Sequence, residues 1–359
     1  MGLERIDKNF SVDTQRKDGM VDYRIPCALF DLYGIFYGEH DDNRFFRFPS
    51  SIANKVSGAI GWGNRYPSGG RLRFRTNAKR LELTVRADSE DGDVPLRMTA
   101  LMHSGFVLCE DCEKGEIFRG CLISKSEKVG NFHVAANLSP NAQWKDYILY
   151  FPLYNDVKEV TVSLPQDAEL EKPKKYRDVK PILYYGSSIT HGGTASRPDS
   201  CYPALISKWN KIDFINLGFS GSALGEQEMA NYLASVDCSL FVCDYDHNAP
   251  NAEHLKATHY RLYETFRSKQ KETPILFLTK PDVRRDVNGK ARRDVIYNTY
   301  KTAKSAGDKN VYFLDGKTFF GDKDSELCTI DGCHPNDLGF YKMAKKIYAK
   351  MITIDKRFE

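Results

Sequence analysis

The sequence has no hydrophobic run long enough to cross a membrane, and its first ten residues, Met-Gly-Leu-Glu-Arg-Ile-Asp-Lys-Asn-Phe, lack the apolar core of a secretory signal. It also lacks an excess of either charge: 52 Lys+Arg stand against 48 Asp+Glu, a net charge of +4. That balance argues against an electrostatic footprint on nucleic acid or on a lipid surface. Ile6 occupies the place where a myristoylation signal carries Ser or Thr, so Gly2 is no sign of lipid attachment. Internal repeats and low-complexity tracts are missing too, which excludes repeat architectures. The expectation is a cytoplasmic enzyme with no nucleic-acid or membrane partner.

A disulfide framework is equally poorly supported, because nine cysteines is an odd number in a chain of 359 residues and fits reduced thiols better. Cys109 and Cys112 form a C-x-x-C pair, and Cys121 with His103 would be needed to complete a zinc site. Free thiols are the simpler reading, and no metal is expected.

A chain this long exceeds a single ordinary core, which implies two domains. From about residue 20 to 165 the pattern has period two: Leu81, Leu83 and Val85 alternate with polar neighbours, as do Met98, Ala100 and Met102, and later Val160, Val162 and Leu164. Turn signals at 66–70, 89–93 and 138–141 punctuate it. This predicts an all-β sandwich, a jelly roll, over 1–172. Arg71, Arg73 and Arg75 alternate with Leu72 and Phe74 and read as the polar face of a sheet in water. A charged, proline-containing connection at 166–180 marks the boundary, and 177–359 forms the second domain.

There the alternation becomes βαβα. Strands are predicted at 181–185, 212–216, 239–244, 274–279 and 311–315, and helices near 200–209, 225–235, 250–269, 290–306 and 336–351. Five strands with intervening helices imply a parallel, helix-flanked sheet. His259 shares a helix face with Leu255, Leu262 and Phe266 and belongs to the core.

Ligands of such sheets sit outside the carboxyl ends of the strands, so each strand-to-helix loop can be read for chemistry. The first runs Tyr185-Gly186-Ser187-Ser188, where a serine is either a nucleophile or an ordinary N-cap, with backbone N–H groups of the turn facing any developing negative charge. The second contains Gly221, a glycine turn whose N–H suits an oxyanion. The third carries His247, a rival base or a rim residue touching substrate, and Asn248, a turn residue or an amide donor to the same oxyanion. In the last, Asp331 precedes His334 by three residues, spaced to hold Nδ1–H and leave Nε2 as a general base, while Pro335 keeps His334 extended. His191 and Arg197 lie where they can contact substrate, Arg197 being alternatively an interdomain ion pair. Trp62 in Trp62-Gly-Asn-Arg-Tyr66 is a candidate to close over the alcohol side.

In order and context, Ser188, Gly221, Asn248 and Asp331-x-x-His334 resemble the four blocks of the SGNH (GDSL-type) hydrolases across roughly 180–351. Gly186-Ser187-Ser188 has Ser where that family has Asp, and Asp246-His247-Asn248-Ala249 departs from Gly-x-Asn-Asp. The leading β domain resembles that of GxDLY-type hydrolases and type-2 carbohydrate esterases, with Gly105-Phe106-Val107-Leu108-Cys109 as a worn form of the motif. The resemblance implies a five-stranded flavodoxin-like sheet and a cofactor-free, metal-free esterase acting on short acyl esters, often of acetylated sugars. It assigns Ser188 as nucleophile, His334 as base, Asp331 as its orienting acid, and the N–H groups of Ser188 and Gly221 with the Asn248 amide as oxyanion donors. An acyltransferase with the same residues and a silent sugar-binding module are the alternatives.

Overall fold

Two antiparallel sheets and a small antiparallel pair, Phe36–Tyr37 with Phe45–Phe46, are followed by one parallel sheet. The computed structural model describes residues 6–7, 11–38, 44–88, 94–124, 130–281 and 286–359. The turn expected at 89–93 lies outside these, as does most of the amino-terminal decapeptide.

In the N-terminal region the strands Met20–Ile25, Asp156–Pro165, Arg80–Asp88 and Phe132–Asn137 form one sheet in that order. The other runs Leu170–Glu171, Arg71–Thr76, Lys145–Tyr150, Phe106–Cys112 and Gly115–Leu122, with Asp31–Tyr33 also pairing with Arg71–Thr76. Leu83, Val85, Val160 and Val162 from the first sheet meet Phe74, Leu108, Tyr147 and Leu149 from the second in one core. Successive strand residues point to opposite faces. Val107, Cys109, Ile148 and Tyr150 therefore leave that core and join Ile182, Tyr184 and Val242 of the parallel sheet in another.

This two-faced burial corrects the reading of Arg71 and Arg73. Their side chains are 0 % and 2 % exposed, because the face they occupy packs on the C-terminal region rather than on water. Arg71 donates to Asp213 at 2.5 Å and to the Phe214 carbonyl at 3.0 Å, and Arg73 pairs with Asp111. Met98, Ala100 and Met102 also differ from expectation. Ala100–Ser104 is a short helix, started by the Thr99 hydroxyl accepting from Met102 N–H at 3.2 Å. Thr is a good N-cap and Ala and Met are helix formers, so local chemistry outweighs an alternation only three residues deep.

The C-terminal strands lie in the spatial order Phe214–Gly218, Ile182–Gly186, Leu240–Asp244, Ile275–Leu278 and Val311–Leu314, all parallel. That is the flavodoxin-like 2-1-3-4-5 order, whose crevice opens where the connections that follow the first and third strands run in opposite directions. Helices Tyr202–Asn210, Gln227–Ser235, Ala252–Lys269, Gly289–Ser305 and Asp337–Ile354 flank it. His259 is buried on the sheet side, its Nδ1 3.0 Å from Thr299 Oγ1, and burial lowers its pKa to about 3. Among the described residues no helix is long and apolar enough to cross a membrane.

Candidate active site

Ile182–Gly186 ends directly beneath the crevice, and Gly186 allows the turn to pack tightly: a Cβ there would run into Thr190 Oγ1 and the Asp244 carbonyl. The two serines that follow divide the available roles. Ser187 is the N-cap of the short helix Ser188–His191, accepting from Ile189 N–H at 3.2 Å, and is fully buried. Ser188 opens into the crevice, with its Oγ 2.9 Å from His334 Nε2.

His334 arrives from the other end of the chain. Thr329 and Pro335 bridge, Ile330 N–H donates to the His334 carbonyl at 3.0 Å, and Asn336 caps the final helix by accepting from Gly339 N–H at 3.1 Å. The Thr194 hydroxyl donates to the Pro335 carbonyl at 2.7 Å, tying the Ser188 loop to the His334 loop. Asp331 folds back so that Oδ2 is 2.8 Å from His334 Nδ1 and Oδ1 accepts from the N–H groups of His334 and Cys333 at 2.8 and 3.0 Å. Burial alone would raise this carboxyl's pKa, but the backbone and ring N–H of His334 together with Cys333 N–H outweigh it and hold it at about 2. An ionised carboxylate only accepts, so the Nδ1 proton is fixed on its side and Nε2 is left to accept from Ser188.

On the second loop, Gly221 has φ +69°, a left-handed conformation that favours glycine. The Phe219 carbonyl accepts from Asn248 Nδ2 at 2.6 Å, and the Ser220 carbonyl accepts from the Ser222 hydroxyl at 3.1 Å. In a trans peptide the N–H points away from its own unit's carbonyl, so Gly221 N–H is turned from Ser222. Neither it nor Ser188 N–H has a hydrogen-bond partner among the described residues. Asn248 commits one amide hydrogen to this loop and keeps the other.

A cavity of about 390 Å³ lies over Ser188 and His334, lined also by Gly193, Thr194, Ser220, Tyr154 and residues 95–98. Its roof is the Pro95-Leu96-Arg97-Met98 turn of the N-terminal region. Trp62, expected to form this cover, is not part of the lining. It is 48 % exposed and packs edge-on against Tyr66 at 4.8 Å. His191 also departs from its expected place at the substrate: it is buried, stacked on Tyr154 at 4.0 Å, with Nε2 2.7 Å from the Leu153 carbonyl. Arg197 reaches Asp199 and lies 4.5 Å over the Phe118 ring of the N-terminal region, so it joins the two regions instead of lining the cavity. His247 Nδ1 is 3.4 Å from Cys333 Sγ, and burial with nearby Lys280, His334 and Arg292 keeps its imidazole neutral. Nor does it line the cavity.

Sequence reasoning missed Arg97, Tyr154 and Ser220. Ser220 adjoins a recognised glycine, but Arg97 and Tyr154 sit in a β region with no motif to flag them. All nine cysteines are free thiols. Among the described residues no three His, Cys, Asp or Glu side chains gather as a metal-ligand set.

Residues 179–353 match the GDSL-like lipase/acylhydrolase family, and 28–170 match GxDLY, the N-terminus of SGNH-hydrolase-type esterases. The literal Asp-Leu-Tyr of that name is Asp31-Leu32-Tyr33, within the matched span, whereas Gly105–Cys109 lacks it. A solved protein described as a GDSL-like lipase, from Bacteroides ovatus, is 26 % identical with TM-score 0.83, covering 94 % of this chain and 98 % of its own. A salicylyl-acyltransferase from a tetracycline biosynthetic pathway is 19 % identical, TM-score 0.77, with the same coverage of each chain. A family two carbohydrate esterase from Clostridium thermocellum, in complex with cellohexaose, is 13 % identical, TM-score 0.59, covering 82 % of this chain and 98 % of its own. The last two likenesses are of fold. No curated protein matches the chain. With both regions matched and a serine, histidine and aspartate in contact at the sheet's edge, the chain belongs to the GDSL-like, SGNH-type hydrolases with a GxDLY-type N-terminal region, and is a carboxylic ester hydrolase.

Proposed function

We propose that the chain hydrolyses short-acyl esters, acetyl esters of a carbohydrate or related small alcohol above all, through an acyl-enzyme on Ser188. The observation that carries this is the continuous contact from Ser188 Oγ through both ring nitrogens of His334 to Asp331. Ser188 adds to the ester carbonyl while His334 Nε2 takes its proton, and the imidazolium is held by Asp331. The carbonyl oxygen becomes an oxyanion facing Ser188 N–H, Gly221 N–H and the spare Asn248 amide hydrogen. Collapse expels the alcohol, which receives the proton from His334. Water, deprotonated by the same nitrogen, then adds to the acyl-enzyme and releases the acid.

The cavity supports a small alcohol with an apolar face. Leu96 and Met98 offer apolar contact and the Tyr154 ring a flat face, and Thr194, Ser220 and Tyr154 contribute hydroxyls. A second reading is acyl transfer to another alcohol, and Leu96 and Met98 beside Ser188 favour it by giving an acceptor alcohol an apolar surface to bind. The test is turnover of a chromogenic acetate, an acyl series and acetylated sugars, with and without added acceptor alcohols. Free acetate, falling to background in Ser188→Ala and declining toward octanoyl esters, is the expected result. Ester products in place of free acid indicate the transferase, and efficiency rising with chain length overturns the short-acyl reading.

A further inference from the structure

Arg47, from the N-terminal region, is 0 % exposed, yet among the described residues no carboxylate pairs with it. This sets it apart from the buried Arg71 and Arg73, which each reach an aspartate. Its guanidinium instead donates to the carbonyls of Gly218 and of Gly63, the latter at 2.5 Å, and sits 4.1 Å from the centroid of the Phe219 ring. Its Nε is buried without a partner. Burying a cation against carbonyl dipoles and a ring alone is unfavourable compared with a well-packed apolar side chain.

Its position gives a reason for keeping it. Gly218 begins the segment that presents Gly221 N–H, and three successive carbonyls there are each held: Gly218 by Arg47, Phe219 by Asn248, and Ser220 by Ser222. Gly218 also packs directly on the backbone of Thr190 and His191 in the nucleophile helix, so a shift here is felt at Ser188. Tyr66, Tyr154 and His191 are the titratable groups facing the guanidinium. Burial raises Tyr154 to about 12 and, with Arg47 itself, drives His191 well below its usual range, so neither supplies a compensating charge at neutral pH.

We infer that Arg47 is a positioning residue of the reaction, a fixed positive charge through which the N-terminal region holds the Gly218–Gly221 loop and favours negative charge at the acyl oxygen. The inference rests on the esterase reading and makes the β region part of the catalytic apparatus rather than an attachment to it.

The experiment compares kcat, KM and their pH dependence for wild type, Arg47→Met and Arg47→Lys, with folding checked by near-UV circular dichroism. Arg47→Met is expected to lower kcat on the order of 10²-fold, comparable to losing an oxyanion donor, with KM changed only a fewfold. Burial lowers the pKa of Arg47 to about 9, and a buried lysine titrates lower still. Arg47→Lys is therefore expected to retain more kcat than Arg47→Met at low pH and to lose that advantage as pH rises. A purely structural arginine would leave the ratio of the two variants constant. That constancy, or a folded Arg47→Met within about threefold of wild-type kcat, overturns the inference. If both variants unfold, Gly63→Val serves instead: a Cβ there would make ordinary contact with Phe219 Cδ1 at 3.4 Å and lie 3.9 Å from Arg47 Nη2, so that the two methyls it carries must find room between the ring and the guanidinium while the charge is kept. It is expected to reduce kcat with KM preserved, and an unchanged kcat overturns the inference. A wild type with no Ser188-dependent turnover defeats the esterase reading itself, which is a different outcome from an active wild type indifferent to Arg47.

Discussion

Arg97 Nη1 lies 3.2 Å from Asp331 Oδ2, the oxygen that also accepts from His334 Nδ1 at 2.8 Å. A residue of the β region thus touches the acid of the proposed triad while its neighbours roof the cavity. The Arg97 side chain is 72 % exposed, and such pairs contribute about 0–1 kcal/mol. Arg97→Ala is therefore expected to leave the melting temperature nearly unchanged and to raise KM for a sugar acetate severalfold through loss of cavity wall. Thermal melts and Michaelis curves check both halves. A large fall in stability with KM unchanged would mean that the turn is a structural brace.

Asp331→Asn is expected to reduce kcat by about 10⁴-fold with little change in KM, because an amide no longer fixes the Nδ1 proton. The Asp331 carboxyl is held at about 2, below the ~3.9 of an unfolded chain. Its contribution to stability is present above about pH 4 and is lost as pH falls toward 2. Wild-type kcat/KM should therefore show no inflection from this carboxylate between about pH 5 and pH 9. A pH–rate profile tests this.

Asp244 has the opposite sign. It is buried beneath the Ser187-Ser188 turn and accepts from Thr190 Oγ1 at 2.9 Å and Tyr202 Oη at 3.3 Å, and burial lifts its pKa to about 7. A folded value above the unfolded one gives stability that is complete below about pH 4 and is lost as pH rises through about 7. The melting temperature should fall between about pH 4 and pH 7 and level off above it, and Asp244→Asn should flatten that slope. A slope unchanged in the variant would assign the pH dependence elsewhere.

What could be read from the sequence follows from how local each signal is. The five parallel strands were legible because buried strands read as short apolar runs, closed by glycine at Ile182–Gly186, and a helix between them was legible from its apolar face, as at Leu255, Leu262 and Phe266. Asp331 and His334 were legible because a three-residue spacing fixes their mutual geometry without the rest of the fold. Arg71 and Arg73 were not, because alternation states which residues share a face and not what covers it. His191 and Arg197 looked available because they follow Ser188, but the β region packs over that side and buries or engages them. Arg47, Arg97 and Tyr154 reach the site only through tertiary packing, and no local pattern announces them.

Adjacent serines offer a further test. Ser187→Ala removes a cap worth roughly 1 kcal/mol and should give a folded enzyme of reduced activity, while Ser188→Ala should be inactive. Asn248→Ala should lower kcat on the order of 10²-fold, both by removing a donor and by releasing the Phe219 carbonyl. An effect on KM alone would make Asn248 a binding residue. Steady-state kinetics on one chromogenic acetate compares all three.

Covalent labelling of the whole protein with a serine-directed fluorophosphonate, read by intact mass and then by peptide mapping, tests the central claim most directly. A single adduct on Ser188 is expected, abolished in Ser188→Ala and strongly slowed in His334→Ala, because only the hydroxyl 2.9 Å from His334 Nε2 is activated. An adduct on Ser187 or another serine, or labelling of Ser188 that is indifferent to loss of His334, would contradict it.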